Sequence, residues 1–333
     1  MYKTIDLFAG IGGIRLGFEQ AFDELETVFV SEIDKNAQKT YKENFNTPLN
    51  IEGDITQINE KDIPDFDICL SGFPCQAFSI AGKRQGFDDD YHGICRGTLF
   101  LDVVRICEYH NPKVIFCENV KGLVSHDKGN TFSVILSTFE KIGYNVYYKV
   151  LNSKDFGVPQ NRERIYIVCF RKDIDNKLFK FPQPTNDSTV LKQIIETSKP
   201  HNKYWLSQQY FDTLKKHKDR HKTKGNGFGY QIRDLNQIAG AIVCGGMGRE
   251  KNLIIDKRLT DFSPVGTRKT PANSEFVRIL TPRECARLQG FPEDFVLPCS
   301  DTVLYKQLGN SVSVPVIIEI AKEIKKVLQN ISK

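Results

Sequence analysis

Short apolar runs alternate with longer amphipathic segments through the first half of the chain. The run at residues 114–117 contains no polar position, which is typical of a parallel strand buried on both faces. Alternating strands and helices of these lengths predict an α/β fold built on a mostly parallel sheet. The predicted strands are residues 3–9, 27–31, 51–55, 66–71, 114–117, 145–150 and 164–170, and the predicted helices are 14–22, 35–44, 99–109 and 131–142.

The pattern changes after residues 181–184 (FPQP), where regular alternation gives way to basic, glycine-rich sequence. This stretch, up to about Ser274, predicts short strands and loops, so we expect a domain boundary near residues 182–187. Regular signals return at Thr281, which predicts a helix N-cap with Pro282 at the first position and Glu284 closing a capping box. An apolar, helix-like tail follows at residues 314–328.

Composition excludes several classes of protein. With 333 residues, 40% hydrophobic and 26% charged, the chain is that of an ordinary globular protein with room for two domains. The nine cysteines never form a CxxC pair, which disfavours a disulfide scaffold or structural zinc and fits a reducing cytosol. The net charge is +5, yet residues 171–230 hold 13 Lys/Arg against 6 Asp/Glu. Such a segment suggests an anionic partner, although a solvated lysine-rich face would look the same.

The first candidate for chemistry is Cys75, which follows the predicted strand 66–71 at the start of a polar loop. Pro74 stiffens the backbone that enters it. Taken alone, such a cysteine is more often a small buried hydrophobe than a nucleophile. Glu118 directly follows the apolar run 114–117, so we expect its carboxylate and the Cys75 thiol to lie at the same edge of the sheet. Arg164 begins the last predicted strand, where an arginine is either an exposed edge residue or a hydrogen-bonding fork.

The second candidate is a nucleotide-like site at the first strand ends. Gly10, Gly12 and Gly13 predict a tight turn between a strand and a helix, a geometry that suits an adenosyl group better than a dinucleotide. Glu32 lies at the end of the second strand, where a carboxylate can accept both hydroxyls of a ribose. Asp54 follows a glycine at the next strand end and could bind an adenine amino group or merely cap a turn.

These motifs, in this order, resemble those of the bacterial DNA (cytosine-5)-methyltransferases of restriction–modification systems. The resemblance spans nearly the whole chain and leaves only the basic middle segment unmatched. It rests on residues 6–13 (DLFAGIGG), Glu32, 53–55 (GDI), 72–76 (GFPCQ), 118–120 (ENV), 160–164 (QNRER), 281–284 (TPRE) and 309–311 (GNS).

The resemblance implies the Rossmann-like fold of methyltransferases that depend on S-adenosylmethionine (AdoMet), with a smaller, mainly β and loop target-recognition domain. The catalytic domain would comprise residues 1–184 and 300–333, and the recognition domain residues 185–299, including the hinge and helix region 278–292. No metal is implied. The implied cofactor-binding residues are Phe8, Ala9, Gly10, Gly12, Gly13, Glu32, Ile33, Asp54, Ile55, Pro74, Asn310 and Ser311.

The implied reaction methylates carbon 5 of a cytosine that is flipped out of duplex DNA. Cys75 would add to carbon 6, because carbon 5 is a poor nucleophile until the ring is activated. Glu118 would hydrogen-bond ring N3 and the exocyclic amine through a protonated carboxyl group. Arg164 would hold O2, with Arg162 close by.

The implied partners are double-stranded DNA and a cognate restriction endonuclease that acts on the same site. We expect a cytoplasmic enzyme that works as a monomer, without a membrane segment. Candidate DNA contacts, from the loop after Cys75 and from the basic segment, are Ser79, Lys83, Arg84, Arg96, Lys224, Asn226, Tyr230 and Arg249.

One segment departs from the family pattern: residues 89–95 (DDYHGIC) intervene where family members have only a few residues. Two other functions stay open. The chain could be an RNA or tRNA cytosine-5 methyltransferase, although the long basic segment favours DNA. It could also be a non-catalytic DNA-binding protein on the same scaffold, against which the intact set of Cys75, Glu118 and Arg164 argues.

Overall fold

The computed structural model describes residues 1–45, 49–74, 90–91, 94–95, 99–185, 187–245 and 248–331. The chain forms two compact units. Unit 1 comprises Met1–Asn152, Glu163–Pro184 and Val312–Lys333, and unit 2 comprises Ser153–Arg162 and Thr185–Ser311.

Both units are built from short strands and helices of ordinary length. The strands are β1 (Tyr2–Leu7), β2 (Leu25–Ser31), β3 (Ile51–Glu52), β4 (Ile68–Ser71), β5 (Asp90–Tyr91), β6 (Ile94–Cys95), β7 (Val114–Val120), β8 (Tyr144–Asn152), β9 (Gln160–Asn161), β10 (Glu163–Arg171), β11 (Ala239–Gly240), β12 (Ile254–Ile255) and β13 (Val277–Arg278). The helices are α1 (Gly13–Ala21), α2 (Lys35–Asn44), α3 (Leu99–His110), α4 (Gly122–Ser125), α5 (Asn130–Lys141), α6 (Gln208–Thr223), α7 (Pro282–Leu288), α8 (Asp301–Asn310) and α9 (Val314–Ile331).

Unit 1 contains a seven-stranded sheet in the order β3-β2-β1-β4-β7-β10-β8. The pairs from β3 to β7 are all parallel, whereas β10 runs antiparallel to both β7 and β8. This arrangement confirms the predicted α/β class with a mostly parallel sheet. The central strands are largely buried, since every residue of β4 and residues 4–7 of β1 are buried.

The C-terminal helix α9 packs against α1 within unit 1. The closest approach is at Gly17, where a Cβ atom would lie 2.5 Å from Ile317 Cγ2. Only glycine therefore allows the two helices this separation. Helix α9 buries residues at intervals of three and four, and Ile317, Ile320 and Ile324 are fully buried. This spacing explains why its apolar pattern could be recognised in the sequence.

The third predicted strand is shorter in the structure than expected. It covers only Ile51–Glu52, and the chain turns at Asp54, whose side chain accepts the Thr56 N–H and caps a short 3₁₀ helix, Ile55–Gln57. The prediction of a strand over residues 51–55 was wrong here because a capping aspartate competes with strand pairing.

Unit 2 contains mostly helices and loops. In the part of unit 2 that the structure describes, β9 pairs with β11 in parallel and β12 pairs with β13 antiparallel. Helix α6 contradicts the expectation of short strands and loops up to about Ser274. It begins at the N-cap Ser207, and only Phe211 and Leu214 of its sixteen residues are buried. So narrow an apolar stripe is hard to recognise in the sequence.

The helix predicted after Thr281 is confirmed as α7, with both bonds of its capping box. Glu284 also belongs to a buried ion network, because Arg278 donates to Glu284 and to Asp256 at 2.7 Å. Arg278 and Glu284 are fully buried. Burial raises the pKa of Asp256, but the guanidinium groups of Arg258 and Arg278 outweigh it and hold that pKa at about 2, so the Asp256 carboxylate stays charged at neutral pH.

The boundary between the units differs from the expected domain limits at two places. Residues 153–162 and 300–311 were expected in the catalytic domain, but both segments lie in unit 2. Buried Gln160 shows why, since its amide accepts the Ile242 N–H and donates to the Leu288 carbonyl. These bonds tie the segment 153–162 to the rest of unit 2 across a long sequence separation.

The segment 89–95, where the chain departs from the family pattern, contains the strand pair β5 and β6. Asp90 pairs with Cys95 and Tyr91 with Ile94 in antiparallel register. The four residues therefore form a small hairpin ladder, while Asp89, His92 and Gly93 lie outside the described residues.

Candidate active site

Glu118 and Arg164 meet on neighbouring strands of the unit 1 sheet. Arg164 Nε lies 3.2 Å from Glu118 Oε1, and their side chains are 16% and 11% exposed. Because β10 is antiparallel to β7, the start of β10 lies beside the end of β7, and Tyr166 pairs with Glu118. Both side chains therefore lie on the same face of the sheet, as a diagonal pair. The structure brings together these two predicted catalytic residues in a largely desolvated position.

The chain approaches Cys75 at the same edge of the sheet. Ser71, the last residue of β4, pairs with Cys117, which immediately precedes Glu118. Phe73 and Pro74 follow, and Cys75 itself lies outside the described residues. The register of β4 and β7 thus places the segment that precedes Cys75 at the edge of the sheet where Glu118 lies.

Asn119 fixes the backbone of the segment that precedes Cys75, at Phe73. Its side-chain amide donates to the Phe73 carbonyl at 3.2 Å, and its own oxygen accepts the Val120 N–H at 2.8 Å. Asn119 is almost fully buried. No role was predicted for Asn119 from the sequence, although an amide inside an apolar strand was a usable signal, since a buried polar group needs partners.

The glycine turn between β1 and α1 has the predicted tight geometry. Gly10 and Gly12 both have positive φ, +56° and +83°, and so does Phe8 at +55°. A Cβ atom on Gly12 would lie 2.1 Å from the Phe45 ring, whereas nothing lies within 4 Å of one on Gly10. Gly12 is therefore required by the protein itself, and the space beside Gly10 is open to a ligand. Ala9 and Gly13 complete the turn and the start of α1.

Glu32 joins this turn to the start of α2. Its carboxylate accepts the N–H of Gly10 and of Asp34, each at 2.7 Å. Burial raises the pKa of Glu32, and the backbone N–H bonds oppose that rise. The neighbouring Ile33 is 58% exposed, an apolar side chain at the lip of the turn. A carboxylate beside an exposed apolar side chain suits a ribose and its attached base.

Asp54 and Ile55 lie at the end of β3, next in the sheet to β2. The Asp54 carboxylate accepts the Thr56 N–H and hydroxyl at 3.0 and 2.8 Å, both through Oδ1. Ile55 is buried. The structure therefore shows the capping role of Asp54, one of the two roles that the sequence left open.

Three buried polar side chains, Asp6, Tyr41 and Arg15, are linked by hydrogen bonds near the glycine turn, and the sequence did not predict them. Tyr41 donates its hydroxyl to Asp6 at 3.2 Å, and Arg15 donates to the same hydroxyl at 3.1 Å. Asp6 Oδ1 has no hydrogen-bond partner among the described residues. Burial raises the pKa of Asp6 to about 7, although Arg15 and the Tyr41 hydroxyl oppose that rise. The only sequence signal was an acid inside an apolar strand.

Three further predicted site residues, Arg162, Asn310 and Ser311, lie in unit 2. Arg162 is buried, and its guanidinium donates to the carbonyls of Ile242, Gly309 and Ser311. Asn310 ends α8, and Ser311 follows as the C-cap. In unit 2 Arg162 thus holds three backbone carbonyls together.

The predicted DNA contacts fall into two groups. Lys224 is exposed, Asn226 bonds His221, Tyr230 lies under the Lys218 ammonium, and Arg249 lies over the Tyr305 ring; all are in unit 2. The other predicted contacts lie outside the described residues: Ser79, Lys83, Arg84 and Arg96.

Neither a metal site nor a membrane segment is found in the described part of the chain. No three His, Cys, Asp or Glu side chains there are grouped so that they could hold a metal ion. No described helix is both long and apolar enough to cross a membrane.

The α/β fold, with Glu118 and Arg164 at one edge of its mostly parallel sheet, indicates an enzyme of the methyltransferase class. Comparison with known proteins identifies the family. Residues 2–326 match the model of the C-5 cytosine-specific DNA methylases. The chain belongs to this family and is a DNA (cytosine-5)-methyltransferase; members of the family use AdoMet.

The most similar curated relatives include two bacterial enzymes. The chain is 52% identical to Type II methyltransferase M.HpaII of Haemophilus parainfluenzae over 335 residues, which cover 99% of this chain and 91% of the relative. It is 40% identical to Type II methyltransferase M.HhaI of Haemophilus parahaemolyticus, with 97% and 94% covered.

Solved structures agree on the fold. The Entamoeba histolytica methyltransferase EhMeth superposes with a TM-score of 0.74 at 19% identity, covering 100% of this chain and 99% of its own. The S. pombe Dnmt2 methyltransferase gives a TM-score of 0.73 at 19% identity, with both chains fully covered.

Proposed function

We propose that this methyltransferase protects host DNA in a restriction–modification system, and that Cys75, Glu118 and Arg164 carry its chemistry. The single observation that supports this most is the close pair of Glu118 and Arg164 at the sheet edge that the chain reaches just before Cys75. The restriction–modification role is supported by relatives that are named Type II methyltransferases.

In the proposed reaction, the Cys75 thiolate bonds to carbon 6 of the flipped cytosine, and the ring electrons move toward carbon 5. Glu118 donates a proton to ring N3 and accepts a hydrogen bond from the exocyclic amine. Carbon 5 then takes the methyl group. Solvent then takes the carbon 5 proton, the electrons of that C–H bond form the C5–C6 double bond and expel Cys75 as thiolate, and N3 returns its proton to Glu118, which restores the aromatic ring. Arg164 holds O2 and keeps the Glu118 carboxyl group oriented during these steps.

When it is bound, AdoMet would supply the methyl group and be left as S-adenosylhomocysteine. The residues of unit 1 suit this cofactor, because open space beside Gly10, the Glu32 carboxylate and the exposed Ile33 lie together at the ends of β1 and β2. Phe8, Ala9, Gly12, Gly13 and Pro74 would form the backbone around it, with Asp54 and Ile55 at the adenine side. The family resemblance adds Asn310 and Ser311 to the proposed cofactor-binding residues.

Unit 2 is the proposed target-recognition unit, and duplex DNA is the proposed substrate. The excess of Lys and Arg in residues 171–230 supports this role. A monomer suffices, since the enzyme modifies one strand per visit, and its DNA substrate would place it in the cytoplasm.

Bisulfite sequencing of plasmid DNA from cells that express the protein tests the activity directly. We expect complete protection of one cytosine within a short repeated sequence. Purified enzyme should methylate duplex DNA and leave tRNA unmodified, and the reverse preference would favour an RNA methyltransferase.

Substitution of the thiol tests the mechanism. Cys75→Ser should lose turnover yet bind AdoMet and DNA, while Cys244→Ser, which changes an exposed cysteine of unit 2, should keep wild-type turnover. Turnover in Cys75→Ser would remove Cys75 from its role. Arg164→Lys keeps the charge but not the planar fork, so we expect kcat to fall about a hundredfold, with AdoMet affinity unchanged.

A further inference from the structure

Helix α6 exposes cations that have no acidic partner. Lys215 pairs with Glu275, but within the described parts of the chain no salt bridge reaches Lys216, Lys218, Arg220 or Lys222. The buried stripe of α6 faces the core of unit 2 through Phe211 and Leu214. The remaining sides therefore present positive charge to solvent.

The loop after α6 folds back onto the helix. The Asn226 N–H donates to the His221 carbonyl at 3.1 Å, and their side chains lie 2.6 Å apart. At Gly229 a Cβ atom would lie 2.8 Å from Lys218 Cγ, so the loop approaches the helix more closely than another residue would allow. The loop is thus held in place by named contacts.

This folding leaves Phe228 62% exposed between the side chains of Lys251 and His221. The Lys251 ammonium lies 5.6 Å from its ring centroid, and the His221 ring lies 5.8 Å away. We call Lys218, Arg220, His221, Phe228 and Lys251 the α6 surface. An aromatic ring held in solvent beside the Lys251 ammonium, with further cations on the neighbouring helix α6, provides what a sugar–phosphate backbone needs, namely charge for the phosphates and an apolar face for the sugars.

We propose that the α6 surface binds the backbone of duplex DNA outside the methylated sequence. This inference rests on the proposed function, which makes duplex DNA the substrate and unit 2 the recognition unit. A helix of 16 residues is ~24 Å long, enough to follow about seven base pairs. Contacts of this kind carry no base specificity, so they add affinity and orientation without changing the sequence that is methylated.

The test compares two duplexes that contain one target site each, a short one that ends a few base pairs from the site and a long one of about 40 base pairs. Binding is measured by fluorescence anisotropy at several salt concentrations. The variant Lys218→Gln/Arg220→Gln/Lys251→Gln removes three charges and keeps the packed stem of Lys218. The control Lys141→Gln/Lys322→Gln/Lys326→Gln removes three charges from unit 1.

For the long duplex, we expect the α6 variant to bind at least about tenfold more weakly, with a salt slope that falls by about two to three. The short duplex should bind and be methylated as by the wild type. Phe228→Ala should also weaken binding of the long duplex, but without a change in slope because no charge is lost.

Equal salt slopes for the α6 variant and the wild type, or equal losses on both duplexes, would overturn the inference. A loss of the same size in the control would also overturn it, because it would show a general charge effect. These failures leave methylation of the short duplex intact, whereas an enzyme that methylates no duplex at all would contradict the proposed function.

Discussion

The Asp6→Asn substitution should remove a pH dependence of stability that originates in one buried carboxyl group. Burial raises the pKa of Asp6 from 3.8 to about 7. Arg15, Tyr41, Glu32 and Glu19 are the charged or titratable groups around it, and the Arg15 guanidinium and the Tyr41 hydroxyl favour the ionised form. Asparagine has the same shape and its oxygen can still accept the Tyr41 hydroxyl, so the substitution changes mainly the charge.

The sign follows from linkage. The folded state holds the Asp6 proton more tightly than the unfolded state, so the stabilisation is complete below pH 3.8 and is lost as pH rises to about 7. A pKa difference of this size corresponds to about 4 kcal/mol in total, or about 1.4 kcal/mol per pH unit within the window. Asp6→Asn should therefore gain stability relative to the wild type at that rate, and the gain should level off above neutral pH.

Urea unfolding followed by circular dichroism between pH 5 and 8.5 measures this difference. Asp62→Asn makes the same chemical change at an exposed position of unit 1 and should follow the wild-type curve within about 0.5 kcal/mol. Parallel curves of unfolding free energy against pH for Asp6→Asn and the wild type would refute the reasoning, because they would mean that the pKa of Asp6 is the same in the folded and unfolded states.

Two further substitutions test the site geometry. Gly12→Ala should lower the free energy of urea unfolding by about 2–5 kcal/mol, because of left-handed backbone strain and a clash with the Phe45 ring. Gly10→Ala should lower it by about 1–2 kcal/mol, from backbone strain alone, and should also weaken AdoMet binding measured by calorimetry. Equal destabilisation by both would contradict the packing argument. Asn119→Ala frees the Phe73 carbonyl, so kcat should fall about tenfold while AdoMet affinity stays constant. A wild-type kcat would show that this bond does not position the thiol.

The sequence alone determined the class of fold and most of its elements, because period and capping are local properties. Helix α2 was predicted at its observed limits, Lys35–Asn44, with Asp34 as the N-cap, and the Asp34 side chain does accept the N–H groups of Asn36 and Ala37. The capping box at Thr281 identified α7 in the same way. Helix α6 was missed since its two buried residues form too sparse a pattern.

Only the tertiary structure decided which polar side chains meet. The sequence placed Glu118 and Arg164 at strand ends, but their diagonal contact depends on the antiparallel register of β7 and β10. The tertiary structure also gave different partners to two arginines that are near neighbours in the sequence. Arg164 contacts Glu118 in unit 1, whereas the Arg162 guanidinium binds backbone carbonyls in unit 2.

Burial was likewise not visible in the sequence, and it explains the raised pKa of Asp6. The chain shows Asp6 only as an acid in an apolar strand, and nothing local reveals that Tyr41 and Arg15 close over it. The reason is physical: local patterns set backbone conformation, while pKa values and side-chain partners depend on which distant segments exclude water around a group.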